Sequence, residues 1–177
     1  MTMPGQFKKV LFSAQKISAT VSRLASEINR DYGTEPLLLV GVMKGSFIFL
    51  ADLCRQLQGP VDIDFVRAKS YGDSVHSSGN VEFTLDVEQP IAGRHVIIVE
   101  DIIDSGLTLE ALYHKLLSRD PASLKICTLI DKFERRASDV RADYSGLELE
   151  EGFIVGYGLD YAERYRNLPD ICLLADN

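Results

Sequence analysis

The sequence contains few residues of the types that make disulfide frameworks or zinc sites, with three cysteines and three histidines among 177 residues. Cys54, Cys127 and Cys172 are widely spaced and lie among apolar neighbours. A thiol in such a context packs as a small hydrophobe, so we expect neither a disulfide nor a zinc site. The histidines are equally scattered, which favours structural or solvated roles over a set of metal ligands.

An excess of positive charge is also absent, because 19 Lys and Arg face 26 Asp and Glu, for a net charge of −7. This balance argues against sequence-independent binding to nucleic acid or to an anionic membrane. No apolar run approaches the length that spans a bilayer, and the N-terminus lacks the apolar segment of a secretory signal. We therefore expect a cytoplasmic protein with neither nucleic acid nor membrane as a partner.

Internal repeats, linkers and low-complexity tracts are missing as well. The length suits one domain with a sizeable core, and we predict a single domain over residues 1–177. Two continuous apolar runs, Leu37–Val42 and Val96–Val99, are typical of strands buried on both faces of a parallel sheet. Each run leads through a short turn into a helical pattern. These units predict an α/β fold with a doubly wound, mainly parallel sheet.

The first helix is indicated by apolar residues at helical spacing from about Ala14 to Tyr32. Ser13 is suited to cap its start, and Gly33 to end it. Farther along, Val61–Ala68 alternates as a strand with one polar face. The loop 70–80 that follows is rich in Gly and Ser, and it is either a plain hairpin loop or a lid. Val81–Val87 then returns as the second strand of this flap.

Val96 to Thr108 reads VIIVEDIIDSGLT, and the rest of the chain is organised around this stretch. A buried strand is followed by acids, by a turn of small residues at Ser105 and Gly106, and by the start of a helix. The first N–H groups of a helix have no internal partners and carry a positive partial charge. The stretch therefore predicts a phosphate-binding turn.

Glu100, Asp101 and Asp104 need a separate explanation, because carboxylates repel a phosphate unless a neutral or cationic group lies between them. Ribose hydroxyls and a magnesium ion would both serve. Glu100 and Asp101 can accept hydrogen bonds from two vicinal hydroxyls or hold a hard cation, while the turn after Asp104 encloses a 5′-phosphate. The stretch thus predicts a site for ribose 5-phosphate.

VIIVEDIIDSGLT resembles the signature of the type I phosphoribosyltransferases, in the form carried by their hypoxanthine/guanine branch. The resemblance extends from about Leu11 onward, in the family's order and spacing. It implies a small hood built from both termini and a flexible β-flap. It also implies transfer of a 5-phosphoribosyl group from phosphoribosyl pyrophosphate to N9 of a 6-oxopurine base, with Mg²⁺ as cofactor and a homodimer or homotetramer as the assembly.

The resemblance also implies roles for individual residues. The proton on purine N7 would be taken or shared by Asp104, the catalytic residue. The metal would be held by Glu100, Asp101 and Asp160. Substrate would be bound by Lys44, Gly45, Ser70, Tyr71, Glu100, Asp101, Ser105, Gly106, Leu107, Thr108, Lys132, Phe153, Ile154 and Arg166. Lys44 and Arg166 would bind pyrophosphate, Phe153 would stack on the base, and the Met43–Lys44 peptide bond can be cis in this family.

Several of these residues also have a simpler interpretation from the sequence alone. Loop and strand-end lysines such as Lys44 and Lys132 are usually solvated, and Phe153 on a strand would ordinarily be core. Glu134-Arg135-Arg136 is most simply a solvated surface run. At Leu107 some relatives carry a cation, so backbone N–H groups would have to contribute more to phosphate binding here.

Lys132 bears on the choice of base. An ammonium group has donors and no lone pair, which suits a 6-oxo group and leaves the amino group of adenine without an acceptor. Unpaired buried groups cost about 1–3 kcal/mol, so hypoxanthine and guanine should be preferred over adenine by roughly tenfold to a hundredfold. Recognition of the 2-amino group depends on backbone geometry near Asp160, which the sequence leaves open.

Two other functional classes remain compatible with parts of the pattern. A regulator could keep this fold and bind RNA, but it would need a basic face, and the conspicuous positive cluster is Lys132 with Arg135 and Arg136. A phosphatase could use Asp101 and Asp104 as its metal site and would hydrolyse simple phosphomonoesters without any purine.

Overall fold

The computed structural model describes residues 7–69 and 81–175. In chain order the elements are β1 (Phe7–Phe12), α1 (Ala14–Tyr32), β2 (Leu37–Val42), α2 (Phe47–Cys54), β3 (Val61–Lys69), β4 (Glu82–Leu85), β5 (His95–Ile103), α3 (Leu107–Leu117), β6 (Ser123–Lys132), β7 (Tyr144–Leu149), β8 (Ile154–Val155) and β9 (Ile171–Leu174). No helix in these two ranges is both long and apolar enough to cross a membrane.

The main sheet has six strands in the order β4-β3-β2-β5-β6-β7. All its pairs are parallel except β3 with β4, so the predicted doubly wound, mainly parallel sheet is confirmed. Strand β5 lies near the centre, between β2 and β6. Because β2, β5 and β6 run in the same direction, their carboxyl ends and the loops that follow meet at one edge of the sheet.

Alternate residues of the central strands pack on opposite faces of this sheet. Ile97 and Val99 lie in a core with α1 and α2, whereas Val96 and Ile98 lie in a core with α3. Burial on both faces explains the unbroken aliphatic run, since every position of the strand meets apolar neighbours.

Helix α1 begins and ends as predicted. The Ser13 hydroxyl accepts a hydrogen bond from the backbone N–H of Lys16 at 3.3 Å, and Gly33 follows the helix with φ of 58°. A positive φ is accessible to glycine at little cost, so Gly33 can turn the chain away after Tyr32.

Strands from both ends of the chain form a second, three-stranded sheet in the order β1-β9-β8. This is the predicted hood, and its β8 contains Ile154, one of the predicted substrate-binding residues. The second strand of the flap, β4, is shorter than the predicted Val81–Val87. The loop 70–80, with Ser70 and Tyr71, lies outside the described residues.

Strand β7 is not among the elements predicted from the sequence. This strand lies at the edge of the sheet, with Tyr144 and Leu147 buried and Glu148 exposed. All three thiols are free, and Cys127 and Cys172 are buried while Cys54 is partly buried, as expected for thiols that pack as small hydrophobes. Burial raises the pKa of the Cys127 thiol, which keeps it protonated.

Candidate active site

A cavity of about 320 Å³ lies where the carboxyl ends of β2, β5 and β6 approach the hood. It is lined by most of the residues predicted from the sequence to bind substrate or metal, namely Lys44, Gly45, Asp101, Asp104, Lys132, Phe153, Ile154, Asp160 and Arg166. Gly152, Ile102 and Leu159 also line it. Residues separated by more than a hundred positions are therefore brought together at the predicted edge of the sheet.

The turn between β5 and α3 encloses a smaller cavity of about 160 Å³ beside the first. It is lined by Glu100, Asp104, Ser105, Gly106 and Thr108, with Ile102, Ile103 and Leu109. Gly106 precedes the helix with φ of 80°, and as a glycine it has no side chain that could cap the helix N-terminus. The first N–H groups of α3 thus keep their capacity to bind an anion.

Leu107 differs from its neighbours in this turn in the position of its side chain. Its side chain is 50% exposed, and it does not line the 160 Å³ cavity. Leu107 can therefore contribute its backbone to an anion site, but its apolar side chain offers no charge.

The two acids at the end of β5 are held in a dry environment. Asp101 is only 7% exposed, and Glu100 is partly buried. Burial and the adjacent Asp101 carboxylate raise the pKa of Glu100 well above its usual value, and burial also raises the pKa of Asp101. Two neighbouring carboxyl groups that resist ionisation favour a ligand that brings hydroxyl donors or positive charge.

Gly45 approaches this acid pair so closely that a larger residue would not fit. A Cβ atom at Gly45 would overlap the carboxylate of Asp101. In the same turn, the Met43–Lys44 peptide bond is cis, a conformation that the resemblance allowed. The backbone of the turn after β2 therefore lies against the acids of β5.

Asp104 and Lys132 form the centre of the cavity because of the sheet register. Ile103 pairs with Asp131 across β5 and β6, so the next residue of each strand lies beside the other. The Lys132 ammonium is 3.8 Å from Asp104 Oδ1 and 3.0 Å from Glu134 Oε2, and its side chain is 7% exposed. The simple interpretation of Lys132 as a solvated strand-end lysine is therefore wrong.

Asp104 Oδ1 is buried and has no hydrogen-bond partner among the described residues. Its distance to the Lys132 ammonium is within the range of an ion pair but too long for a hydrogen bond. Buried acceptors are normally satisfied, and an exception in a cavity marks a place where a ligand donor belongs.

Arg166 is held by the loop that follows β8. Its guanidinium donates to the Gly158 carbonyl at 2.7 Å and pairs with Asp160 at 2.8 Å, while its Nε is buried without a partner in the described chain. An unused, buried cationic donor beside the cavity suits an anionic ligand such as a diphosphate.

Glu163 occupies the space between the two predicted pyrophosphate-binding cations. Its carboxylate is 2.9 Å from the Lys44 ammonium and 3.4 Å from the Arg166 guanidinium. The hydrogen bond from Lys44 lowers the pKa of Glu163. Its backbone has a φ of 64°, an uncommon value for a residue other than glycine, and its N–H donates to Asp160 at 2.8 Å.

The hood supplies an aromatic ring to the cavity. Phe153 is 52% exposed, contrary to the core position that its strand context would favour. Its ring contacts the Tyr161 ring edge to face, with 5.6 Å between the ring centroids. An exposed ring fixed by a neighbour can stack on a flat heterocycle. Ile154 follows on β8; it is buried and lines the same cavity.

No cluster of three or more potential metal ligands occurs in residues 7–69 and 81–175. Glu100 and Asp101 lie side by side, but both oxygens of Asp160 are engaged by Arg166 and by the N–H of Glu163. This arrangement does not make a dedicated protein cage. It does fit Mg²⁺, which is usually bound through one or two carboxylates together with substrate oxygens and water.

A larger cavity, of about 950 Å³, lies behind the turn, and we do not assign the active site to it. Its wall carries the carboxylates of Glu110, Asp131 and Asp139. None of the predicted substrate-binding or metal-binding residues that the structure describes lines it.

Two residues of this region were not found by sequence reasoning. Arg136, interpreted as part of a solvated run, is a correction: its side chain is 18% exposed, and it bonds to backbone carbonyls of the site. Glu163 lies in a segment whose composition is that of an ordinary solvated loop. Neither residue has a local sequence signal, because the partners of Arg136 include residues more than thirty positions away, and Lys44 lies still farther from Glu163.

Comparison with known proteins gives a consistent picture. The family model for the phosphoribosyl transferase domain matches residues 9–162. The hypoxanthine-guanine phosphoribosyltransferase of Bacillus subtilis is 44% identical over 172 residues, covering 97% of this chain and 96% of that protein.

Two solved structures are similar throughout their length. A hypoxanthine-guanine phosphoribosyltransferase from Bacillus anthracis, with HEPES in its active site, superposes with a TM-score of 0.90 at 44% identity, covering 97% of this chain and 99% of that one. A variant hypoxanthine phosphoribosyltransferase from Trypanosoma cruzi, in a ternary substrates complex, gives a TM-score of 0.91 at 42% identity, with 97% of each chain covered.

Proposed function

The chain belongs to the phosphoribosyltransferase family, and we propose that it transfers the 5-phosphoribosyl group of phosphoribosyl pyrophosphate to N9 of hypoxanthine and guanine. The products are IMP or GMP and pyrophosphate, which makes the enzyme a purine-salvage glycosyltransferase. One observation carries the assignment to this site: the buried Asp104 Oδ1, which has no hydrogen-bond partner among the described residues, and the buried ammonium of Lys132 face the same cavity. They are the acceptor and the donor that a 6-oxopurine requires.

The 5′-phosphate is proposed to lie in the turn from Ser105 to Thr108. The uncapped start of α3 supplies N–H donors and a positive partial charge there. The ribose hydroxyls then reach Glu100 and Asp101. Since the pKa of both carboxyl groups is raised by burial, ligands that neutralise the pair are favoured.

The pyrophosphate group is proposed to bind between Lys44, Gly45 and Arg166. The free Nε of Arg166 and the ammonium of Lys44 provide charged donors for it. In the transition state the bond between C1′ and the pyrophosphate oxygen breaks, so negative charge increases on the leaving group. Cations that are already in place stabilise this charge.

The base is proposed to stack on Phe153, with its edge toward the backbone of Ile154 and its 6-oxo group toward the Lys132 ammonium. N9 attacks C1′ as the pyrophosphate departs. Asp104 takes or shares the proton on N7, which prevents positive charge from accumulating on the purine.

We propose Mg²⁺ as the metal, held by Glu100, Asp101 and Asp160 together with substrate oxygens. When bound, it supplies positive charge that neutralises the diphosphate and the acid pair. Asp160 can join only if its bonds to Arg166 and to the N–H of Glu163 rearrange. The substrate-binding roles of Ser70 and Tyr71, in a loop that would close over the site, remain predictions.

The single domain over residues 1–177, the homodimer or homotetramer and the cytoplasmic location also remain predictions.

The decisive experiment measures turnover of the purified protein with Mg²⁺, phosphoribosyl pyrophosphate and one of four bases: hypoxanthine, guanine, xanthine or adenine. We expect hypoxanthine and guanine to be used, and adenine to react at least about tenfold more slowly. If pyrophosphate is released with none of the four bases, the proposal is refuted. Parallel assays of RNA binding and of simple phosphomonoester hydrolysis test the two other classes.

Replacing Glu163 by Gln should strengthen binding of phosphoribosyl pyrophosphate. Glu163 competes with the diphosphate for Lys44 and Arg166, and exposed ion pairs of this kind are weak. We expect the KM for phosphoribosyl pyrophosphate to fall by roughly two- to fivefold, with little change in the KM for hypoxanthine.

The matched control is E35Q, which removes an exposed carboxylate outside the cavity lining. If E163Q raises the KM for phosphoribosyl pyrophosphate, Glu163 assists the substrate instead of competing with it.

A further inference from the structure

Arg136 makes an unusual set of contacts for a residue in a polar surface segment. Its guanidinium donates to the backbone carbonyls of Ile103 at 3.3 Å, Asp104 at 3.2 Å and Lys132 at 3.1 Å. It also pairs with the carboxylate of Asp131 and donates to the Val140 carbonyl. One side chain therefore joins the end of β5 to the end of β6.

The next two residues continue this contact along the turn. The Ala137 N–H donates to the Ser105 carbonyl at 2.9 Å. The Ser138 hydroxyl lies so close to Gly106 that a Cβ atom at Gly106 would overlap it. We call residues 136–138 the brace, since its three members contact every residue from 103 to 106.

The brace also fixes which way the peptide groups of the turn point. The carbonyls of Ile103, Asp104 and Ser105 are all directed toward it. In a trans peptide the C=O and the following N–H point in opposite directions. The N–H groups of residues 104 to 106 are therefore directed away from the brace, and successive N–H groups on one side form an anion-binding concavity.

We propose that Arg136 is a positioning residue, which holds the phosphate-binding turn and fixes Asp104 relative to Lys132. It bonds to the backbone of both residues, whose side-chain charges lie 3.8 Å apart beside the proposed purine site. Arg136 touches no reacting atom in this assignment. The inference rests on the proposed function and adds to it the group that sets the geometry of acid and donor.

Arginine is suited to this task in a way that lysine is not. A planar guanidinium has five N–H donors at fixed angles, so it can bond several carbonyls and a carboxylate at once. A lysine ammonium in the same place is a single point with three donors. R136K keeps the charge but cannot span the same acceptors, and carbonyls of the turn would lose their partner.

The test compares R136K and R136A with R135K and R135A. Arg135 is the adjacent, exposed arginine, so these controls have the same change in composition and charge without the buried contacts. For each variant we would measure kcat, the KM of both substrates, the hypoxanthine-to-adenine ratio of kcat/KM, and thermal unfolding. We expect kcat of R136K to fall roughly 10- to 100-fold, since small misplacements of reacting groups cost about this much.

Two further readouts separate positioning from simple stabilisation. The preference for hypoxanthine should narrow severalfold in R136K, because Lys132 is no longer fixed against the base. In R136A, guanidinium chloride at a low, non-denaturing concentration should restore part of the turnover by filling the space of the missing group.

If folded R136K retains the kcat and base preference of R135K, the positioning role is wrong while the proposed function stands. The role is also wrong if R136K differs only in thermal stability, so that its turnover falls in proportion to its folded fraction. If R136A does not fold, R136K decides the question alone. Absence of purine turnover in the wild-type protein would overturn both the function and this inference.

Discussion

Replacing Asp104 by Asn should lower turnover by about 10²- to 10⁴-fold, the usual contribution of a positioned general base, while nucleotide binding stays near the wild-type level. Asn has nearly the same shape, so the cavity is preserved. Its amide cannot accept the N7 proton as a carboxylate does. The buried Asp104 Oδ1, which has no hydrogen-bond partner among the described residues, is the acceptor that the substitution removes or weakens.

Single-turnover kinetics with hypoxanthine and calorimetric binding of IMP would measure the two effects separately. Asp120→Asn is the control, because Asp120 is exposed and its left-handed backbone, with φ of 54°, is one that Asn tolerates. Near-normal turnover of D104N would remove Asp104 from the mechanism. A loss of IMP affinity that matched the loss of rate would assign it to binding instead.

The second large effect is expected at Lys132, where substitution by Gln should reduce kcat/KM for hypoxanthine by roughly 10- to 100-fold. The ammonium is buried between Asp104 and Glu134, and a donor at this place is matched to a 6-oxo group. A Gln amide can present either a donor or an acceptor, so adenine should be rejected less strongly than by the wild-type protein. The preference for hypoxanthine over adenine should narrow as a result.

Lys125→Gln is a matched control on the same strand. Lys125 lies on β6, seven positions before Lys132, and pairs with Asp31 and Tyr144 away from the cavity. Its loss should affect stability and leave base preference unchanged. If K132Q keeps the wild-type ratio of hypoxanthine to adenine, recognition of the 6-oxo group must come from another donor.

The sequence was sufficient wherever the decisive interactions were local or periodic. Helix α1 could be predicted to the residue because its apolar spacing, its Ser13 cap and its Gly33 end are all encoded within one segment. The buried strands β2 and β5 follow from continuous aliphatic runs. The turn at Ser105 and Gly106 follows from small residues between a strand and a helix.

Edge and surface segments were harder to predict. Strand β7 does not alternate strictly between buried and exposed residues and contains Gly146 and the charged Glu148, so its sequence gives little indication of a strand. Its position is determined by pairing with β6, from Cys127 with Tyr144 to Lys132 with Leu149. Such pairing is not visible in the segment itself.

The features of the site likewise divide into those that local sequence predicts and those that only the fold determines. The type of each group near the phosphate and the base could be expected from the strand, turn and helix around Val96 to Thr108, since these motifs carry their chemistry in consecutive residues. Which charges face each other was decided by the folded chain alone. Lys132 is buried because β6 lies beside β5, Glu163 meets Lys44 because the hood closes over the sheet, and Arg136 supports the turn because residues 103 and 132 end neighbouring strands. Contacts between residues far apart in the chain depend on the whole packing of sheet and hood, and no short stretch of sequence contains that information.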